Sequence, residues 1–183
     1  IGRAGTPEGR VQGVALSVFD VSDPSAPALS DSYVFEDSTS SDANSDHRAI
    51  TFQPEKGRVS FPLSDWQTGG STLQVFSVTA NAGIEPIGSV RPAQDLSLAD
   101  CVVALGYGPD ALSGWLGEQI AIEPGLPDAI RAQCRQMEQV RRGLFRDDYV
   151  YSLTNRGLYA HPISALDGAA VGQAMLPPPE YNP

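Results

Sequence analysis

The sequence predicts an all-β fold: antiparallel β-propeller blades, about two and a half in this chain, with a helical insertion. Three observations carry that prediction. First, between Asp46 and Val90 four short apolar runs are divided by turn signals. Ile50 to Gln53 is turned by Pro54-Glu55-Lys56-Gly57. Val59 to Leu63 alternates against Ser60 and stops before Thr68-Gly69-Gly70. Leu73 to Val78 leads through Asn81-Ala82-Gly83 into Ile84 to Val90. Four strands of this length with this turn chemistry form one antiparallel meander, the unit a propeller repeats. Second, the segments before and after it read as incomplete copies. Third, residues 91–142 replace the two-residue alternation with helical spacing.

In chain order, residues 1–10 are polar, contain Gly and Pro, and are expected to be a loose end. Val11 to Val21 is a strand. Val14, Leu16 and Val18 share one side and Ala15, Phe19 and Val21 the other, so both faces are apolar and should be sandwiched between neighbours. Asp23, Pro24 and Pro27 end it, because the prolines fix φ and lack a donor. Leu29 to Glu36 returns. Residues 37–47, DSTSSDANSDH, are a polar connection without an apolar anchor. The full blade occupies 48–90, where Pro62 demands an unpaired position or a bulge inside the second strand.

Within 91–142, Ser97 to Leu105 is an apolar, strand-like run and Asp110 to Leu116 a short helix carrying Trp115. Pro127-Asp128 opens a longer helix, with Asp128 as a cap near its start. Ile130, Cys134, Met137 and Val140 recur on one face, with Arg131, Arg135 and Glu138 opposite, so this helix should pack on the sheet by one stripe. Strands resume with Arg142 to Arg146, an Asp147-Asp148 turn and Tyr149 to Leu153. An Asn155-Arg156-Gly157 loop, with Gly at positive φ, leads to Leu158 to Ile163. Residues 167–183 end in MLPPPEYNP and read as a Pro-rich tail. Two, four and about three strands do not close a ring, which takes at least about four blades. The remaining blades are expected from a longer precursor, of which this is the C-terminal piece, or from another chain.

Composition bounds the function. The 183 residues are 41% hydrophobic and 19% charged, which is globular rather than disordered. Twelve basic against 22 acidic residues leave a net charge of -10, which repels phosphate backbones and argues against nucleic acid as a partner. The one basic cluster, Arg131, Arg135, Arg141 and Arg142, lies on a predicted helix and is small. No apolar run reaches the ~18 residues of a membrane span. The chain begins at Ile1 rather than Met, which reads as processing or excision from something longer.

Four pieces in order, LSVFDVSDPSAP (16–27), DHRAITFQPEKGRVSFPL (46–63), LQVFSV (73–78) and RRGLFRDDYVYSLTNRGLYAHPISAL (141–166), resemble the secreted bacterial and archaeal proteins that carry a C-terminal β-propeller domain. The resemblance covers about half the chain. It implies an extracytoplasmic propeller (secreted, periplasmic or surface-anchored) of unknown activity and supplies no catalytic residues. Two cysteines in a chain that resembles secreted proteins suggest a Cys101–Cys134 disulfide clipping the insertion. Closing a loop of about 30 residues, it would contribute roughly 3–4 kcal/mol in the chain-entropy picture. The alternative is two buried free thiols.

Candidate sites are few. Asp42, Asn44 and Asp46 have the i, i+2, i+4 spacing that lets a turning backbone aim oxygens at one Ca²⁺, although His47 and Gln53 stand where an EF-hand needs Gly and Glu. Two cysteines and two distant histidines lack the spacing of a zinc site. Asp46 and His47 open a blade's first strand and are candidates for the mouth of the central channel. Gly106-Tyr107-Gly108-Pro109-Asp110-Ala111 mimics a dinucleotide fingerprint, but Pro109 has no amide to give and no βαβ unit surrounds it. No G-x-S-x-G elbow accompanies His47 and His161. His161 reads as packed at a blade surface, and Tyr149, Tyr151 and Tyr159 as blade-to-blade packing. The resulting expectation is a non-catalytic binding or scaffold domain that contacts an unknown protein or small ligand through its loop ends. The alternatives are a propeller belonging to an enzyme, a hydrolase or metal-assisted lyase completed by the missing blades, and a calcium-stabilised structural module.

Overall fold

The computed structural model describes residues 1–92, 97–108 and 110–176. Three antiparallel sheets stand side by side. The first contains β1 (Gly2–Gly5), β2 (Val11–Asp20) and β3 (Ala28–Val34) in that order. Residues 1–10 are therefore not a loose end: Gly2 pairs with Ala15 and Arg3 with Val14, because backbone pairing needs no apolar side chain. The second sheet contains β4 (Thr39–Ser40), β5 (Thr51–Gln53), β6 (Arg58–Asp65), β7 (Gly70–Thr79) and β8 (Gly83–Val90). Its turns match the reading of the sequence, with Gly57, Gly69 and Gly83 all at positive φ.

The innermost strand of this second sheet is split. β4 pairs with one end of β6 (Thr39 with Asp65) and β5 with the other (Thr51 with Ser60), while residues 41–50 loop out through two 3₁₀ turns. Pro62 lies opposite the gap, and its carbonyl accepts from the Ser41 hydroxyl at 2.5 Å. The N–H and C=O of one strand residue point the same way, so the donor that Pro62 lacks falls where no strand asks for it. The polar stretch 37–47 is thus more than a solvated connection. Thr39 is buried, its hydroxyl donating to the Glu36 carbonyl at 2.6 Å and accepting from the Val14 amide at 3.2 Å.

The helical insertion consists of α1 (Leu98–Ala104), α2 (Trp115–Ile122) and α3 (Leu126–Met137). The strand-like reading of Ser97 to Leu105 is corrected: Ser97 and Asp100 form a reciprocal capping box that starts α1. Cys101, Val102, Ala111, Leu116, Ile130 and Cys134 form a core of the helices' own. The stripe of α3 therefore faces this small core rather than the sheet. Val140 falls out of the stripe because α3 ends first, and it begins the next strand. The side chain of Met137 lies outside the described residues. Asp128 makes no cap bond; it sits in the first turn of α3, where its charge suits the helix dipole.

The third sheet contains β9 (Val140–Arg146), β10 (Tyr149–Thr154), β11 (Gly157–Pro162) and β12 (Gly172–Met175), in the order β12-β11-β10-β9. Arg141 and Arg142 are on β9, not on a helix. Two expectations change here. Gly157 is not at positive φ; the left-handed residue is Asp147 (φ 53°) in the β9–β10 turn. Gly157 is needed for a different reason, since a Cβ there would stand 2.5 Å from the Ala174 carbonyl oxygen on β12. The region 167–183 is also not wholly a tail, because Gly172–Met175 occupies the open edge of β11. Residues 177–183 lie outside the described residues.

The middle sheet is buried on both faces. Val59, Phe61, Leu63 and Phe76 meet Val14 and Leu16 of the first sheet, with Phe61 and Phe76 stacked at 5.8 Å. Leu73, Val75 and Val90 meet Val140 and Val150 of the third. This is the radial stacking of blades. Polar contacts pin the sheets together. The Ile84 amide donates to Asp31 at 2.7 Å, Thr51 donates to the Gly143 carbonyl at 2.7 Å, and Lys56 pairs with Asp148 at 2.7 Å.

Candidate functional site

The residues expected from the sequence to carry chemistry fall in two places. Asp42, Asn44, Asp46 and His47 all lie in the 41–50 excursion at the inner end of the middle sheet, touching β1 on one side and β9 on the other. The Asp46 carboxylate caps the second 3₁₀ turn, accepting from the Arg48 amide at 2.9 Å and the Arg48 guanidinium at 3.1 Å. Those bonds, the amide first, hold its carboxyl below the usual range. Asp42 accepts from Arg141 at 3.1 Å across to the third sheet. Each of the two carboxylates is thus committed to an arginine, and among the described residues no group of three His, Cys, Asp or Glu side chains converges. Asp46 and His47 sit side by side, as the cap and the first residue of the second 3₁₀ turn. Cys101 and Cys134 form a disulfide, with Cα atoms 5.5 Å apart.

A second cluster went unread in the sequence because its members are far apart in the chain. Glu138 follows α3 and is 7% exposed. Its two oxygens accept from Arg156 at 2.7 Å and from the Tyr159 hydroxyl at 3.3 Å. Tyr159 and His161 alternate along β11 on the face turned toward the middle sheet, paired with Ser152 and Val150. Burial, reinforced by the Glu138 charge, pushes the Tyr159 phenol up to about 12, and burial alone pushes the His161 imidazole down. At neutral pH both side chains are therefore uncharged. Arg156, Tyr159 and His161 form one wall of a cleft of about 590 Å³. Arg91 and Pro92, just after β8, line it too, together with Asp167 to Ala170, Gln173 and Met175. The cleft is a concave surface with fixed polar groups. The Tyr159 hydroxyl in its lining donates to the Glu138 carboxylate, and its proton is bound more tightly than usual.

The sequence profile of the beta propeller domain family matches residues 1–107. The chain belongs to that family. The match spans the first two sheets and α1; the third sheet of this propeller chain lies beyond it and repeats the same antiparallel order. No curated protein and no solved structure matches the chain. Among the described residues, no helix is long and apolar enough to cross a membrane.

Proposed function

We propose that this chain is an arc of a larger, extracytoplasmic β-propeller that works as a binding or scaffold domain rather than as a catalyst. One observation supports this above others: the middle sheet is covered on both faces, whereas the flanking sheets are covered on one. On the first sheet, Phe19, Leu29 and Val34 share the uncovered face at 59%, 58% and 49% exposure. On the third, Leu144 and Tyr149 are 41% and 42% exposed, and Tyr151, Leu153 and Leu158 share their face. Apolar sheet faces of this kind are the surfaces that neighbouring blades bury. Further blades, from the same precursor or another chain, are the partners this reading implies. The disulfide suits an oxidising compartment, where such bonds persist. The resemblance to secreted bacterial and archaeal proteins with a C-terminal propeller points the same way.

The test is the association state of the chain by itself. Sedimentation of residues 1–183 is expected to show self-association through these faces. The double substitution Phe19→Glu with Tyr151→Glu should yield monomers with an unchanged far-UV spectrum. A native chain that sediments as a monomer and binds no apolar dye would remove the reading.

A further inference from the structure

We propose that the cleft between the end of β8 and the outer strands of the third sheet binds a small ligand bearing a carboxylate or phosphate oxyanion. The site is built by two sheets of this chain alone, so it stands or falls separately from completion of the ring. Its volume, about 590 Å³, suits a small molecule. Three nitrogen-bearing side chains reach it from different segments: Arg91 after β8, Arg156 in the β10–β11 turn and His161 on β11. Glu138, behind the wall, fixes Arg156 through Nη1 at 2.7 Å. Among the described residues the other guanidinium nitrogens of Arg156 make no hydrogen bond, which leaves a planar donor edge of the kind that reads oxyanions. Glu138 is paired with Arg156, accepts from Tyr159 and lies outside the lining of the cleft, so it orients the wall from behind. Among the described residues, the carboxylate in the lining is that of Asp167, which is exposed.

His161 supplies the independent observation. It is 3% exposed, yet its Nδ1 has no hydrogen-bond partner. An unpaired ring nitrogen in a buried wall costs stability, and such groups call for an explanation of their own. A polar ligand in the adjoining cleft provides one: a modest rotation of the ring, or relaxation of its neighbours, brings a nitrogen to an oxyanion that Arg91 and Arg156 already attract. The amide of Gln173 then completes a polar lining around a small charged head.

Calorimetric titration of the intact chain with inorganic phosphate, and separately with citrate at matched ionic strength, tests this. Saturable binding of at least one probe is expected, with a Kd of about 1 mM or tighter. Binding of phosphate alone, or of citrate alone, identifies which oxyanion the cleft takes. Arg91→Ala and His161→Gln should each weaken binding about tenfold or more. Asp167→Asn, which removes the opposing charge, should tighten it, a gain that damage to the fold cannot imitate. Should His161→Gln unfold, Arg91→Ala decides, because Arg91 makes no ion pair among the described residues. Failure of both probes to saturate on folded protein, or affinity unchanged in Arg91→Ala, overturns the proposal.

Discussion

Removing the Cys101–Cys134 bridge should melt the helices and leave the sheets standing. The perturbation is the double substitution Cys101→Ala with Cys134→Ala, which avoids stranding a thiol. The bridge spans a sequence separation of 33 residues, and the chain-entropy estimate for a loop of that length is about 3.7 kcal/mol. The helices have a separate core of six buried side chains that shares no member with either inter-sheet core. A unit of roughly 40 residues sits at the limit below which packing alone rarely holds a fold. Losing about 3.7 kcal/mol corresponds to a shift of about 500-fold in its local opening equilibrium. Hydrogen exchange read by mass spectrometry measures this directly. Amides in α1 and α3 should lose protection by about that factor, while β6 and β7, between two other cores, should keep theirs. Equal loss of protection in helices and sheets would show that the insertion is cooperative with the blades. Unchanged protection in α1 and α3 would show that the helical core needs no clip. Either result would refute the reasoning.

Four further outcomes follow from named contacts. Gly143→Ala places a methyl against the Ser60 hydroxyl and the Leu73 side chain between the second and third sheets, and should cost about 1–3 kcal/mol in denaturant unfolding. Titration of Tyr159 should make the chain less stable in alkali. Its folded value, about 12, exceeds the unfolded 10.0, so its contribution is intact below pH 10 and is lost as pH rises toward 12; Tyr159→Phe should flatten that part of a melting-temperature profile. His161 has the opposite sign: burial lowers its folded value below 6.5, so stability falls as pH drops through and below 6.5, and His161→Gln should remove that slope. Millimolar calcium is expected to leave the melting temperature unchanged, because Asp42 and Asp46 are held by Arg141 and Arg48; a rise of several degrees, absent in Asp42→Asn, would restore the cation loop.

The blades were legible where side chains alternate. β6 and β7 carry apolar residues at alternate positions, β5, β8 and β9 to β11 are short runs set between Gly, Pro and Asp turns, and their places follow from that pattern. β1, β4 and β12 were invisible for one reason: they are short, Gly-rich or polar, and join the sheets through backbone pairing at an edge, which leaves no mark on hydropathy. α1 was misread because a short apolar run is compatible with either a buried strand or a helix; the deciding signal, Ser97 three residues before Asp100, was present in the sequence. Pro62 announced an interruption correctly. The Glu138, Arg156 and Tyr159 cluster could not have been found by spacing, because only the folded third sheet brings the end of a helix onto a hairpin.

The gap opposite Phe61–Leu63 protects the molecule. A bare inner strand would present a row of free amides and carbonyls, an invitation for another chain to extend the sheet. Here that row is broken by an imino acid, and the ten-residue coil above it blocks approach with charged side chains on both flanks. That edge therefore resists extension by another chain, which steers the molecule away from fibrous aggregation through its rim.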